Sequence, residues 1–487
     1  MNRIAHRAVC SVTLVVSGCA IVGEDYVPPE IETAAEFTGS FESVYGSSPP
    51  TNLGLWWEQL EDPVLNDLVE RALERSLELE AAVVAVRRDA ALLGQAIGNR
   101  YPDIDGFGSG LRSRVGEDSF PANPDAQTFN LWSLGLEFGY ELDVWGRVTR
   151  LIEASSADLD GSVEDLRDVR ALLVASVVSA YVDLREGEAR LEVAEQNIET
   201  QKASLAITET RFEAGAAPRL DVAQARTNLA NTEATLPSVR TSVRLSKLRL
   251  GVLLGADPSR FVERFQSELS TASGIPRPPE RIQVGVPADL LRQRPDVRAA
   301  ERALASEVAR VGVEIGDLYP RFSFGGTISF EATDTDQWFR ESNGIFGLGP
   351  SLTWNLFDGG RERGEVRAQE AAAELALVTY RQTVLVALED AEGAMFSLAR
   401  DRDEVKALAA VVDAARDSAE LSRQLYLAGK SDFQNVLDSE RTLFDAQDAL
   451  IESTAGATQS YVSLLRAIGG GWQEPREPES STAGDEE

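Results

Sequence analysis

Apolar residues recur every seven positions along two long stretches of this chain. The first series is Val177, Leu184, Leu191, Ile198, Leu205 and Phe212; the second is Ala391, Leu398, Val405, Val412, Ala419 and Tyr426. A sustained seven-residue period predicts helices that coil around neighbours. No proline falls between Val148 and Ala217, or between Arg361 and Gln473. At ~1.5 Å per residue each helix can run unbroken for about 100 Å. Elsewhere the period drops to two. Trp132, Leu134, Leu136, Phe138, Tyr140 and Leu142 alternate with Ser133, Gly135, Glu137, Gly139, Glu141 and Asp143. Phe322, Phe324, Ile328 and Phe330 alternate with small or polar residues, as do Phe346, Leu348, Leu352, Trp354 and Leu356. A glycine-rich stretch, Ile104–Val115, reads as a weaker fourth strand.

Strict alternation of an apolar face with a small-polar face suits a membrane barrel wall with lipid on one side and water on the other. A half-buried sheet in a soluble domain is the plainer alternative. Trp132 and Trp354 at strand ends resemble an interfacial girdle and favour the membrane. Four strands cannot close a barrel whose edges must be satisfied in lipid, so several chains must contribute.

The two halves repeat one plan. Phe212 and Tyr426, Gly215 and Gly429, and Asp221-Val222 and Asn435-Val436 are each 214 residues apart. Gly146-Arg147 and Gly360-Arg361 share that offset, and Tyr101-Pro102 answers Tyr319-Pro320 at nearly the same spacing. Each half therefore reads as a helix, Tyr-Pro, strands, Gly-Arg, a very long helix, a Gly turn and a return helix. The expected organisation is a signal peptide over 1–18 and an acylated lead over 19–61. A first repeat spans 62–256 with strands at about 103–143. A mid-body linker covers 257–287, where Pro258, Pro276, Pro278, Pro279 and Pro287 crowd together. A second repeat spans 288–469 with strands at about 321–357, and a disordered acidic tail runs over 470–487. The rising helices are expected over Asp62–Arg100 and Ala288–Leu318, and Pro237 is expected to bend the first return helix.

The first residues change the picture from cytoplasmic to exported. Arg3 and Arg7 precede an apolar stretch, Ala8–Val16, too short to span a bilayer as a helix. Val16-Ser17-Gly18-Cys19 then closes it as bacterial lipoprotein signals close. Cleavage before Cys19 would free its amine and thiol for an N-acyl chain and an S-diacylglycerol. The only histidine, His6, and the other cysteine, Cys10, lie in the segment that would be removed. The mature chain then has no Cys/His metal site, no cofactor beyond that lipid, and lacks the usual base of nucleophilic catalysis. It reads as no enzyme. A net charge of −32 disfavours nucleic acid. Beyond the leader no run looks apolar enough for a transmembrane helix.

Several motifs occur in one order. They are Gly18-Cys19-Ala20 with Gly23-Glu24-Asp25-Tyr26-Val27-Pro28, then Trp56-Trp57 with Asp62-Pro63-Val64-Leu65, then the run from Leu290 through Arg294, Pro295 and Asp296 to Glu301. In this the chain resembles the TolC/OprM-like outer-membrane factors, in the NodT-type lipoprotein branch that serves resistance-nodulation-division efflux pumps. The resemblance implies a mostly α fold with a membrane β-barrel portion. In that fold a trimer forms a twelve-stranded barrel, four strands per chain, above a twelve-helix periplasmic tunnel. It implies a passive exit duct in the outer membrane, joined by a periplasmic adaptor to an inner-membrane pump.

The same resemblance places function at the two Gly turns. Gly215 and Gly429 would be C-caps in any case, and in the family such tips close the tunnel and meet the adaptor. Gln434 and Asp438 lie four apart on one helical face. Asp438 matches a pore-ring aspartate, and Asn435 stands where some members carry another Asp. Asp221 and Tyr426 match a pair that ties the hairpins shut. A basic family partner near the second tip is replaced by Ser431, beside Lys430. Two other readings stay open from sequence: the exit duct of a type I protein-secretion system, and a structural coiled-coil lipoprotein without a pore.

Overall fold

The structure, a computed structural model, describes residues 21–30, 45–46, 53–114, 128–269, 274–283 and 293–473. The leader, Cys19 and the acidic tail beyond residue 473 lie outside these. In chain order the elements are β1 (Tyr45–Gly46), α1 (Pro63–Arg75), α2 (Leu77–Gly98), β2 (Asp103–Arg114), β3 (Thr128–Leu142), α3 (Arg147–Glu213), α4 (Arg219–Leu253) and α5 (Pro258–Leu269). There follow β4 (Ile282–Gln283), α6 (Pro295–Asp317), β5 (Arg321–Ala332), β6 (Gly344–Thr353), α7 (Arg361–Leu427) and α8 (Phe433–Ala467). A short 3-10 turn, Leu53–Leu60, precedes α1. The duplication is visible in the bounds: adding 214 to those of α3 and α4 gives those of α7 and α8.

The chain divides into two compact units. One takes in 1–29, 87–160 and 301–379; the other takes in 30–86, 161–300 and 380–487. The first holds a four-stranded antiparallel sheet in the order β2-β3-β5-β6. Its register puts Gly106, Leu136, Ile328 and Phe346 in one cross-strand row, and Asp105, Glu137, Thr327 and Gly347 in the next. The apolar row is open: Leu136 is 55%, Ile328 54% and Phe346 78% exposed. Apolar rings and branches left bare along such a row are costly in water and at ease in hydrocarbon.

Aromatics gather at both ends of the sheet. Trp132 meets Trp338 edge-on at 6.2 Å, and Trp338 Nε1 donates to the Trp132 carbonyl. At the helix-side end Trp145 stacks on Tyr319 at 4.8 Å, and Trp354 Nε1 donates to the Leu318 carbonyl. From Trp132 to Leu142 a strand rises about 33 Å, or about 25 Å when tilted, which is the height of a barrel's apolar band. In the same unit the N-terminal segment is strapped down. Val22 N–H donates to the Trp145 carbonyl, and buried Arg150 donates to the Val22 and Gly23 carbonyls and to Asp25.

The second unit has the main apolar core. Trp56 packs edge-on against Trp57 and Tyr461, and Tyr181 Oη donates to Asp62 at 2.6 Å. Asp62 also caps α1, accepting from the Val64 and Leu65 N–H groups. The single helix expected over Asp62–Arg100 is instead broken at Ser76, whose backbone is extended. Gly255, at φ +63°, approaches so near that a Cβ there would meet the Arg75 carbonyl. The stretch read as linker contains a helix, α5. Pro258 sits at its first turn, where a missing N–H costs nothing, and Asp257 caps it, accepting from the Ser259 and Arg260 N–H groups. Buried Phe261 then packs on Gly251. α4 runs through Pro237 as one assigned helix. α7 contains a mostly exposed stretch apolar enough, by length and composition, to cross a membrane, contrary to the reading from sequence.

The Leu290–Glu301 motif is structural where it is described, from Gln293 on. Arg294 is buried, donates to the Ala467 carbonyl at the end of α8 and to that of Ala387 on α7, and pairs with Asp296 and Asp390. Arg294 holds the Asp296 carboxyl below its ordinary range even though burial alone would raise it. Trp472 lies under the guanidinium groups of Arg167 and Arg298.

Candidate functional site

The two Gly turns fall in the second unit and close by one device. Gly215 has φ +74°, with the Ala216 N–H donating to the Arg211 carbonyl and the Gly215 N–H to that of Phe212. Gly429 has φ +68°, with Lys430 donating to Leu425 and Gly429 to Tyr426. Both are Schellman caps, which require a left-handed residue where only glycine is free of strain. Their conformation is thereby accounted for without any partner.

Between the hairpins runs a polar seam that the apolar heptads do not disclose. Asp183, Arg190, Asn197, Ser204 and Arg211 fall every seven residues on α3, each one place before a member of the apolar series. Gln459 donates to Asp183 at 2.8 Å, and Arg190 grips Asp448 with two bonds of 2.7 and 2.6 Å. Asn197 donates to Gln447 and Ser204 to Glu440 at 2.7 Å. Arg211 donates to the Tyr426 and Leu427 carbonyls at 3.0 and 3.2 Å, at the carbonyl end of α7. The signal was present as a second series at the same period. Sequence alone could not say which residues of the other hairpin each member meets.

Arg211 also lies over the Tyr426 ring, 4.7 Å from its centroid, while the other side of the tip is filled by Phe433 at 5.2 Å. Ala225, Val436 and Leu437 complete this small core. The expected Asp221–Tyr426 bond is absent here. The Tyr426 ring is buried between Arg211 and Phe433, and its hydroxyl has no hydrogen-bond partner. Asp221 instead responds to burial and to its charged neighbours. Burial and nearby Asp432 push its carboxyl up, and Arg211 draws it down.

The other predicted residues lie on the exposed side of α8. Gln434 donates to Asp438 at 2.8 Å, as the four-residue spacing implies, and receives a bond from Gln224 of the first hairpin. Asn435 turns to Ser431 instead. Gln434, Asn435 and Asp438 are exposed, as are Gly215 and Gly429. No group of His, Cys, Asp and Glu among the described residues is arranged to hold a metal.

A family model for outer membrane efflux proteins matches residues 68–256 and 286–470, one stretch per repeat. The chain belongs to the outer membrane efflux protein family. Nodulation protein T of Rhizobium leguminosarum bv. trifolii is 29% identical over 94% of this chain and 96% of the relative. The pyoverdine export outer membrane protein OpmQ of Pseudomonas aeruginosa is 30% identical over 89% of this chain and 90% of its own length. The solved outer-membrane channel OprN superposes with a TM-score of 0.86 at 33% identity, covering 93% of this chain and all of that one. The efflux channel is accordingly an outer-membrane transport protein that extends into the periplasm.

Proposed function

We propose that three copies of this chain form the exit duct of a tripartite efflux system, passive and gated at the hairpin tips. The observation that carries this is the sheet: one face apolar and bare, the other lined with Asp105, Glu137 and Thr327, and β2 and β6 each with an open edge. An open edge in hydrocarbon leaves backbone groups unpaired, each at a cost of several kcal/mol, so neighbouring copies supply the missing strands. Export by relatives such as OpmQ, and the family itself, support a periplasmic adaptor at the tips around Gly215 and Gly429 and an inner-membrane pump of the resistance-nodulation-division type. In the trimer, Asp438 becomes a ring of carboxylates that favours cations, with Gln434 steadying each one. Cys19 carries the lipid that holds the chain to the membrane while the barrel assembles. The channel supplies no chemistry, and its motive force comes from the pump.

The test is export itself. Deleting the gene should raise cellular accumulation of a fluorescent efflux substrate, and restoring the chain together with its adaptor and pump should reverse it. Accumulation that stays unchanged on deletion, or reversal without adaptor and pump, would contradict the tripartite reading.

A further inference from the structure

We propose that Glu440 makes the joint between the two hairpins acid-sensitive, so that the tips hold together more tightly as pH falls. This deepens the reading of the tips as the moving part of the duct. Glu440 is only 6% exposed, one step along the seam from the Arg211 contact at the tips. Ser204 of α3 donates to its Oε1 at 2.7 Å, and its Oε2 has no partner. Gln201, three residues before Ser204 and also buried, has an Oε1 without a partner.

The groups around it leave the charge poorly compensated. From α3 it meets the neutral Ser204, and from α7 the cation that acts on it is Arg423. On its own helix Arg441 is turned to Asn228 of α4, and Asp438 is exposed and bonded to Gln434. Burial pushes the Glu440 carboxyl above the ordinary range, with Ser204 and Arg423 opposing less strongly. Well above the raised pKa the docked hairpins carry a buried charge that the parted hairpins leave in water. As pH falls through that raised pKa, the docked form takes a proton first and the penalty disappears. A protonated Glu440 is also a donor, in a seam where the Gln201 oxygen is an acceptor without one.

Nitroxides on Ala214→Cys and Ala428→Cys, both exposed positions beside the Gly turns, report tip separation by pulsed electron resonance in the purified full-length protein. With Glu440 intact, the distance distribution should shift shorter and narrow between pH 7.5 and pH 5.0. With Glu440→Gln, a neutral match for the protonated acid, it should be short and narrow at both. Ser204→Ala, which removes the bond favouring the charged form, should move the midpoint to higher pH. An unchanged distribution in the parent across that range, or a pH response retained by Glu440→Gln, would overturn the proposal. Bilayer conductance is recorded separately. A distance response without a conductance response upholds the acid-sensitive joint and removes the tips as the gate.

Discussion

Ile328→Arg is expected to keep the chain from assembling in the outer membrane, whereas Thr327→Arg, one residue earlier, is expected to assemble normally. Ile328 sits mid-strand on the apolar face, with Leu136 and Phe346 beside it across the sheet. A cation at mid-bilayer on a barrel's lipid face costs about 2–4 kcal/mol per copy. That is a large part of the stability of an ordinary domain, about 5–15 kcal/mol. Thr327 belongs to the opposite row with Asp105 and Glu137, where an added cation stays in water and weakens cation preference. Heat-stable oligomer in outer-membrane fractions, followed by reversal potentials in bilayers, separates the two. Equal assembly of both variants would mean that the apolar face does not meet lipid.

Arg211→Ala is expected to open the tips. Each bond from a cation to a carbonyl contributes about 1.5–3 kcal/mol when well buried, and the contact with the Tyr426 ring ~0.5–1 kcal/mol. Both bonds are at least partly exposed and are exchanged for bonds to water on parting, which reduces the sum to about 2 kcal/mol per chain, roughly a thirtyfold shift toward the parted state at 1.4 kcal/mol per decade. Single-channel conductance should rise while ion preference is kept, because Asp438 and the acidic sheet face are untouched. Tyr426→Phe should leave conductance unchanged, because the hydroxyl it removes has no partner. A rise with Tyr426→Phe and none with Arg211→Ala would place the joint on the tyrosine instead.

Much of this architecture is legible in the chain because it rests on period. Seven-residue spacing marked α3 and α7, two-residue alternation marked the sheet, and glycines marked the turns. What escaped depends on partners distant in sequence. Arg211 is an ordinary helix-end arginine until α7 brings its carbonyls beneath it. Ser76 looks like any helical serine until Gly255 presses on the turn before it. Helix α5 was hidden because proline at a first turn and proline in a linker look alike until Asp257 and Phe261 are considered together. The Asp221–Tyr426 bond came from resemblance, and in this chain the tyrosine ring is held instead by Arg211 and Phe433.

In the proposed duct one chain supplies a third of a closed wall. Native mass spectrometry of protein extracted from outer membranes in mild detergent tests it most directly. A single species of three chains is expected, falling apart only with loss of sheet structure. A monodisperse single chain with full helix content would contradict it.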